Sequence, residues 1–343
     1  MRFRLVDNIW DELKRYTVDD NYILITDDNI YRLYKDDIDR LLCVRNNILL
    51  IKPGEESKNL ENVVKIYDKL VEKNIDRNGF ILSLGGGMIG DLAGFAASTY
   101  KRGINYVQIP TTLLAQVDSS IGGKTAVNYG GYKNLIGTFY FPVETIIDIR
   151  FLKTLSKRDF ISGLGEVVKY GIIADYEFFK YIKENLNGIF DKEDNILRYI
   201  VGKSVEIKSS IVEKDKFDLN IRHNLNFGHT VGHSIESHFN YEMYYHGEAV
   251  ILGMLVELKI AYLKGLIGNE YFEEIRALLL SLIESYKFNE EEIDGLIKIM
   301  KNDKKNIDRK IAFVLPVGKG KVDTFFDIEE KTIKDAFLTY YRE

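Results

Sequence analysis

Residues 79–98, GFILSLGGGMIGDLAGFAAS, decide the expected fold of this chain. The first six residues are mostly apolar and predict a buried strand, and the glycines that follow predict a sharp turn into a helix. Gly85, Gly87 and Gly90 stand at the G-x-G-x-x-G spacing, which lets the backbone approach a pyrophosphate at a helix N-terminus. A tight strand-to-helix turn without a ligand remains the alternative.

A dinucleotide-binding turn of this kind usually has an acidic partner for the ribose about 20 residues further on. The corresponding stretch here reads NYVQIPTT and contains no carboxylate. Asp27, in ILITDDN at the end of an earlier expected strand, is an alternative ribose partner. An aspartate that follows a strand is more often a helix cap, so both roles stay open for Asp27.

On both sides of the turn, short apolar runs alternate with amphipathic stretches, which predicts βα units and a mostly parallel sheet. The expected strands are residues 22–26, 47–52, 79–84, 106–110 and 145–149, and the expected helices include 60–73 and 88–98. Residues 157–302 contain no proline and repeat apolar residues at helical period. We therefore predict an α/β, Rossmann-like nucleotide-binding domain over residues 1–154 and a mainly α-helical domain over 155–343, with a late hairpin near 310–315.

Length and composition agree with a two-domain globular protein. A chain of 343 residues is too long for one average core. The 47 basic and 52 acidic residues leave a net charge of −5, so bulk charge indicates neither a nucleic-acid nor a membrane partner. A single cysteine, Cys43, excludes an internal disulfide, and MRFRLVDNIW is not a secretory signal. We expect a cytoplasmic protein.

All five histidines fall within residues 223–246, which predicts a metal or proton-transfer site. His229 and His233, in NFGHTVGHSIE, are four residues apart and share one face of a helix. This resembles the spacing of an H-E-x-x-H zinc site, but Thr230 stands where the metalloprotease glutamate would be. A metalloprotease of that type is therefore excluded, and a structural role remains the alternative for any one histidine.

A carboxylate often joins histidines at a zinc ion that keeps an open position. Glu166 in GLGEVVKYG is a candidate, because glycines and apolar residues flank it. The alternative is a surface ion pair with Lys169, three residues further on, and both remain open.

Several cations and amides lie in or beside glycine-rich or turn-like segments, where they suit a small polyanion. They are Lys58, Arg102, Lys124, Lys133 and Asn134. Arg222 and Asn226, just before the histidine pair, suit the same role.

Eight segments, in this order, closely resemble the 3-dehydroquinate synthase family and together span most of the chain. They are PGEESK (53–58), GGGMIGDLAGFAAS (85–98), QIPTTLLAQVDSSIGGKTAVN (108–128), KNLIGTFYFP (133–142), FLKTL (151–155), GEVVKYG (165–171), NFGHTVGHSIE (226–236) and HGEAV (246–250).

The resemblance implies conversion of 3-deoxy-D-arabino-heptulosonate 7-phosphate to 3-dehydroquinate and phosphate in the shikimate pathway. Transient oxidation at C5 by NAD makes the C6 proton acidic, phosphate leaves by β-elimination, C5 is reduced again, and an intramolecular aldol reaction closes the carbocycle. The implied cofactors are NAD and a divalent metal, zinc or cobalt, and the implied assembly is a homodimer.

The resemblance also implies residue roles. The metal ligands would be Glu166, His229 and His246, so that His233 would face the substrate. The implied NAD contacts are Asp27, Glu55, Glu56, Ser57, Lys58, Gly87, Met88, Ile89, Gly90, Asp91, Thr111, Thr112, Lys124, Lys133, Phe151, Leu152, Lys153 and Thr154. The implied catalytic and substrate contacts are His233, Lys169, Asp118, Lys124, Lys133, Asn134, Arg102, Lys208, Arg222, Asn226 and one lysine of NDKKN, Lys304 or Lys305.

One departure and two alternatives accompany this assignment. Position 218 is Asp where the family commonly has Glu, which keeps the charge but shortens its reach. Another sugar phosphate cyclase, acting on sedoheptulose 7-phosphate or glucose 6-phosphate, is the first alternative. The second is a metal-dependent polyol or glycerol-phosphate dehydrogenase, for which net NADH would form.

Overall fold

The computed structural model describes residues 2–42, 47–301 and 311–341. The fold divides the chain into two compact units. The first comprises Met1–Leu155 and Leu197–Ser209, and the second comprises Ser156–Ile196 and Ser210–Glu343. Within the described ranges, no helix is long and apolar enough to cross a membrane.

The first unit is built on a parallel β-sheet. Its sheet and hairpin strands are β1 (Phe3–Leu5), β2 (Tyr22–Asp27), β3 (Ile48–Ile51), β4 (Phe80–Gly85), β5 (Asn105–Pro110), β6 (Lys124–Tyr129), β7 (Tyr132–Phe139) and β8 (Glu144–Ile147). The six-stranded sheet has the order β1-β8-β5-β4-β2-β3, and every pairing in it is parallel. The five predicted strands are confirmed. The three-residue β1 was not predicted, because it is too short to show a period.

Helices cover both faces of this sheet, as expected for a parallel sheet. The helices are α1 (Ile9–Leu13), α2 (Asp28–Leu33), α3 (Lys35–Leu41), α4 (Leu60–Glu72) and α5 (Gly87–Thr99). Ile23 and Ile25 of β2 pack in a core with α4 and α5, whereas Leu24 between them packs in a second core with α1 and α3. The predicted α/β fold with a parallel sheet is confirmed.

Strands β6 and β7 form a separate antiparallel hairpin. Gly130 and Gly131 connect them with φ values of +59° and +82°, the left-handed pair that a tight two-residue hairpin turn requires. Lys124, Lys133 and Asn134, which the sequence placed in glycine-rich turn-like segments, therefore lie in strands.

The second unit is mainly helical, as predicted. Its helices are α6 (Lys157–Ala174), α7 (Tyr176–Glu184), α8 (Leu186–Phe190), α10 (His229–His238), α11 (His246–Leu263), α12 (Asn269–Leu282), α13 (Glu290–Lys301) and α14 (Glu330–Thr339), and α9 (Asp194–Lys214) has its middle residues in the first unit. The late hairpin is confirmed as β9 (Phe313–Gly318) and β10 (Lys321–Phe325), although it begins later than the predicted 310–315. Residue 310 lies outside the described ranges.

Candidate active site

Three helices of the second unit bring together the polar residues that the sequence singled out. Glu166 lies in the middle of α6, while His229 and His246 are the first residues of α10 and α11. The Nε2 atom of His229 lies 3.6 Å from Oε1 of Glu166. The ring centroids of His229 and His246 are 5.4 Å apart, and those of His229 and His233 are 5.3 Å apart. One nitrogen from each of these three histidines can be chosen so that all lie within 4.8 Å of one another.

Glycines explain why three ligand-bearing helices can approach so closely. A Cβ on Gly247, next to His246, would overlap the carbonyl oxygen of Ser162 in α6. A Cβ on Gly253 would overlap the carbonyl oxygen of Gly228, the residue before His229. Both helix crossings bring backbone against backbone. Gly247 and Gly253 therefore set the distances between the histidines.

Hydrogen bonds orient two of the imidazoles. Nδ1 of His229 lies 3.1 Å from the carbonyl oxygen of Phe227, and Nδ1 of His246 lies 3.0 Å from Oε2 of Glu236. Because both partners are acceptors, each Nδ1 carries the proton and each Nε2 carries the lone pair. A hydrogen bond at the ring nitrogen that does not bind the metal is what fixes the tautomer of metal-binding histidines.

Glu166 has the environment of a metal-binding carboxylate. Its side chain is completely buried, so the alternative of a surface ion pair is wrong. Lys169, also buried, does donate to Oε2 of Glu166, but Oε1 has no hydrogen-bond partner among the described residues. A buried carboxylate oxygen without a partner is costly, and a cation would satisfy it. Two imidazoles and a carboxylate suit zinc or cobalt, so this donor set fits a divalent metal.

The glycine-rich turn of the first unit lies where β4 ends and α5 begins. Gly86 precedes α5, and no side chain caps the helix, so its first N–H groups face outward from the turn. A Cβ on Gly87 would come within 2.9 Å of Oγ of Ser119. The hydroxyls of Thr111 and Ser119 are buried and have no hydrogen-bond partner in the described part of the chain. Unsatisfied hydroxyls and open helix amides at one turn fit a bound dinucleotide.

Lys58 connects three segments around this turn. Its side chain is buried, and Nζ lies 2.5 Å from Oδ2 of Asp91 in α5 and 2.5 Å from Oδ1 of Asn134 in β7. Asn128 Oδ1 accepts from the backbone N–H of Asn134 at 2.9 Å, and the Nδ2 of Asn128 donates to Oε1 of Glu55 at 2.9 Å. These bonds fix Asn134, whose backbone has the left-handed φ of +54°.

Asp27 acts as a helix cap, the role that the sequence left open beside ribose binding. Its Oδ1 accepts from the backbone N–H groups of Asn29 and Ile30, at 2.9 and 3.0 Å. Burial raises the pKa of the Asp27 carboxyl, and the two backbone bonds oppose that shift.

Asp118 lies in a π-helical turn, Ala115–Ser119, a geometry that recurs at functional sites. Nζ of Lys208 donates to the backbone oxygen of Asp118 at 2.8 Å and pairs with its Oδ1 at 2.5 Å. The two residues, which are 90 positions apart in sequence, therefore form one unit.

Arg222 is buried on a loop that Asp215 organises. The carboxylate of Asp215 accepts from the backbone N–H groups of Leu219, Asn220 and Arg222, at 2.9, 2.6 and 3.1 Å. Nη1 of Arg222 donates to the carbonyl oxygen of Lys216 at 3.1 Å. Asp218 lies on the same loop with a left-handed φ of +60°.

The other predicted site residues lie on short turns or at the surface. Glu55, Glu56 and Ser57 form a 3₁₀ turn, and a second such turn contains Phe151, Leu152, Lys153 and Thr154. The hydroxyl of Thr154 lies 3.0 Å from that of Tyr34. Arg102 is exposed, with a left-handed φ of +66°. Asn226 ends the 3₁₀ turn Ile221–Asn226, Thr112 contacts the glycine turn, and Lys304 and Lys305 lie outside the described residues.

Two supporting residues were not predicted from the sequence. Glu236 holds His246, and Asp215 holds the Arg222 loop. Glu236 ends the quoted segment NFGHTVGHSIE, and a carboxylate beside a histidine cluster is the signal that could have identified it.

Comparisons with known proteins agree with this geometry. Residues 48–162 match the family described as 3-dehydroquinate synthase N-terminal, and residues 163–306 match the family described as 3-dehydroquinate synthase C-terminal. The 3-dehydroquinate synthase of Alkaliphilus metalliredigens is 47% identical over 306 residues, which are 88% of this chain and 85% of that protein.

Two solved structures are similar along nearly the whole chain. The 2-epi-5-epi-valiolone synthase of Streptomyces hygroscopicus, with NAD+ and Zn2+ bound, matches with a TM-score of 0.89 and 25% identity, over 98% of this chain and 96% of that one. A 2-deoxy-scyllo-inosose synthase complexed with carbaglucose-6-phosphate, NAD+ and Co2+ matches with a TM-score of 0.85 and 26% identity, over the same shares. The family matches and the relative's identity over most of both chains lead to one conclusion: the chain belongs to the 3-dehydroquinate synthase family.

Proposed function

We propose that the chain catalyses the reaction for which its family is named, the conversion of 3-deoxy-D-arabino-heptulosonate 7-phosphate to 3-dehydroquinate and phosphate. The observation that carries the proposal is the buried Glu166, whose Oε1 has no partner in the described ranges and lies 3.6 Å from Nε2 of His229. A buried carboxylate oxygen without a hydrogen-bond partner is energetically costly. Beside clustered histidines it indicates a metal centre, because a cation would offset that cost.

We assign the divalent metal, zinc or cobalt, to Glu166, His229 and His246, and NAD to the glycine-rich turn. When bound, NAD would accept and return one hydride at the substrate, while the ion would polarise substrate oxygens as a Lewis acid. Nδ1 bonds to Phe227 and Glu236 keep Nε2 of both histidines as the ligand atoms. We assign the substrate-facing role to His233, the third histidine of the cluster.

The remaining polar residues would bind and orient the substrate. Lys169 is held on Glu166 and presents a buried ammonium that can donate to a substrate oxygen. Recognition of the carboxylate and phosphate falls to residues that provide positive charge or amide donors. We assign it to Lys124, Lys133, Asn134, Arg102, Arg222, Asn226 and a lysine of residues 302–306. Asp118 and Lys208 act as a hydrogen-bonded pair.

This division of labour matches a functional division of the chain, in which residues 1–154 bind NAD and residues 155–343 bind metal and most of the substrate. One bound pose must serve proton removal, loss of phosphate and ring closure, so most of the protein's contribution is positioning.

The test is a measurement of inorganic phosphate released from 3-deoxy-D-arabino-heptulosonate 7-phosphate, with NAD and zinc, while NADH absorbance is followed. We expect phosphate release without net NADH, abolished by a chelator and by His246→Ala. Absence of phosphate release would overturn the proposal in favour of a cyclase for another sugar phosphate. Steady NADH formation with a polyol would overturn it in favour of a dehydrogenase.

We also propose that the enzyme acts as a homodimer through the β6–β7 hairpin. Four large apolar side chains of the hairpin, Tyr129, Tyr132, Leu135 and Phe139, are between 40% and 67% exposed. Large exposed apolar side chains on one hairpin favour a protein partner. Light scattering should give a dimer mass for the wild type and a monomer for Leu135→Glu. The control Val71→Glu, at an exposed position of α4, should stay dimeric.

We propose a cytoplasmic location, which the single cysteine supports because a reducing compartment does not select for disulfides. Cell fractionation tests it, and recovery in a secreted or membrane fraction would contradict it.

A further inference from the structure

Helix α10, which carries His229 and His233, has an unusual N-terminal cap. The N-cap position is Gly228, which has no side chain and a left-handed φ of +78°. A larger residue is excluded there, because a Cβ would overlap the side chain of Met254 and lie 2.8 Å from the carbonyl oxygen of Val250. The helix therefore cannot receive the usual cap from a Ser, Thr, Asp or Asn at this position.

Glu257 of the neighbouring helix α11 replaces that cap. Its Oε1 accepts from the backbone N–H of Val231 at 3.1 Å, the third residue of α10 and the usual target of an N-cap side chain. Its Oε2 accepts from the backbone N–H of Gly228 at 2.7 Å. One carboxylate thus binds backbone on both sides of His229.

The burial of Glu257 shows that this contact is not incidental. The residue is completely buried, and placing a carboxylate in an interior is unfavourable unless donors compensate it. Two backbone N–H groups and the positive end of the α10 dipole contribute to that compensation. Burying an apolar residue at this position would cost less free energy, because α11 is buried along most of its length.

We propose that Glu257 is a positioning residue of the metal centre, acting through the first turn of α10. By fixing Gly228 and Val231, it fixes the backbone from which the His229 imidazole extends toward Glu166. It also fixes the start of the turn that ends at His233. The inference rests on the metal-binding part of the proposed function, and it adds a residue that does not itself touch metal or substrate.

The test compares Co2+ binding by the full-length wild type, Glu257→Gln and Leu258→Ala. Glu257→Gln keeps the size of the side chain but turns an NH₂ group toward one of the two N–H donors. Leu258→Ala is the matched control, because Leu258 is equally buried on the same helix and its truncation leaves a cavity without removing a cap. Each metal-free protein is titrated with Co2+, with the visible absorbance of the ion as the signal, and its unfolding is followed separately.

We expect Glu257→Gln to raise the Co2+ dissociation constant by on the order of tenfold to a hundredfold and to change the absorbance spectrum. Leu258→Ala should destabilise the fold while its Co2+ affinity and spectrum stay those of the wild type. Wild-type affinity and spectrum in Glu257→Gln would overturn the inference alone, as would an equal loss of affinity in Leu258→Ala. Failure of the wild type to bind Co2+ would overturn the proposed metal site and this inference together.

Discussion

The Nδ1 atom of His246 lies 3.0 Å from Oε2 of Glu236, a residue ten positions earlier in the chain and buried in α10. Because α11 begins at His246, this bond joins the helix that carries one candidate ligand to the helix that carries another. We expect Glu236→Leu to weaken zinc binding by roughly tenfold to a hundredfold, measured by competition with a chromophoric chelator. Glu236→Gln should lose less, since its amide oxygen can still accept from Nδ1. Equal zinc affinity in all three proteins would contradict the role.

Alanine substitutions of the three clustered histidines should differ in their effects on metal content. His229→Ala and His246→Ala should lose bound metal, whereas His233→Ala should retain it and lose about 10²–10⁴-fold in turnover, as for a proton-transfer group. Metal analysis of the purified variants, together with phosphate-release rates, makes the comparison. Loss of metal in His233→Ala would refute the division of roles, since its nitrogen also lies within reach of the cluster.

The crossing of α10 and α11 should tolerate no added methyl group. Gly253→Ala would press a Cβ against the Gly228 carbonyl oxygen, so we expect a loss of about 1–3 kcal/mol in unfolding free energy. Urea denaturation, followed by a spectroscopic signal from the second unit, measures this loss of unfolding free energy. Gly318→Ala is the control, because a Cβ there meets nothing within 4 Å. Equal stability of the two variants would argue against a tight crossing.

Lys58 should matter more than its neighbour Lys52. Lys58→Met leaves the Asp91 carboxylate without its cation, so we expect unfolding free energy to fall by roughly 1–3 kcal/mol and NAD affinity to fall with it. Lys52 forms an exposed pair with Glu56, and Lys52→Met should stay within about 0.5 kcal/mol of the wild type. Calorimetric titration with NAD and denaturant unfolding test both, and an unchanged NAD affinity in Lys58→Met would contradict the expectation.

The Arg222 loop should depend on pH through Asp215. Hydrogen bonds from the backbone N–H groups, that of Leu219 first, lower the pKa of the Asp215 carboxyl below its ordinary 3.8. A carboxyl with a lowered folded-state pKa stabilises the fold above its unfolded pKa, and this stabilisation is lost as pH falls through the lowered value. Wild type and Asp215→Asn should therefore differ in stability near neutral pH and converge in acid. Asp215→Asn should also raise KM several-fold, and a pH-independent stability difference would contradict this account.

Regular local patterns account for the parts of the fold that sequence could predict. The five longer strands of the sheet are mostly apolar, and helices follow β2, β3 and β4, so a local pattern was available to predict each strand. Strand β1 has three residues and owes its place to pairing with β8, a partner about 140 positions away. No local pattern can indicate such a pairing.

The candidate site shows the same limit. The four-residue spacing of His229 and His233 correctly predicts a shared helix, yet spacing alone favoured them as a ligand pair. His246 joins them only because α11 crosses α10 at Gly253, and Asp215 and Glu236 act across loops or between helices. These relationships arise from tertiary packing. The histidine window included His246, but only the resemblance to a family pointed to it as a metal ligand.

The glycine crossings between α6, α10 and α11 also constrain how this enzyme can change over evolutionary time. In many enzymes a mutation can trade rigidity for activity, because the reacting groups stand on loops apart from the core. Here the same backbone contacts, at Gly247 and Gly253, pack the second unit and space its histidines. We expect a substitution that loosens them to damage folding and metal binding together, so a search for thermostable variants should begin away from these crossings.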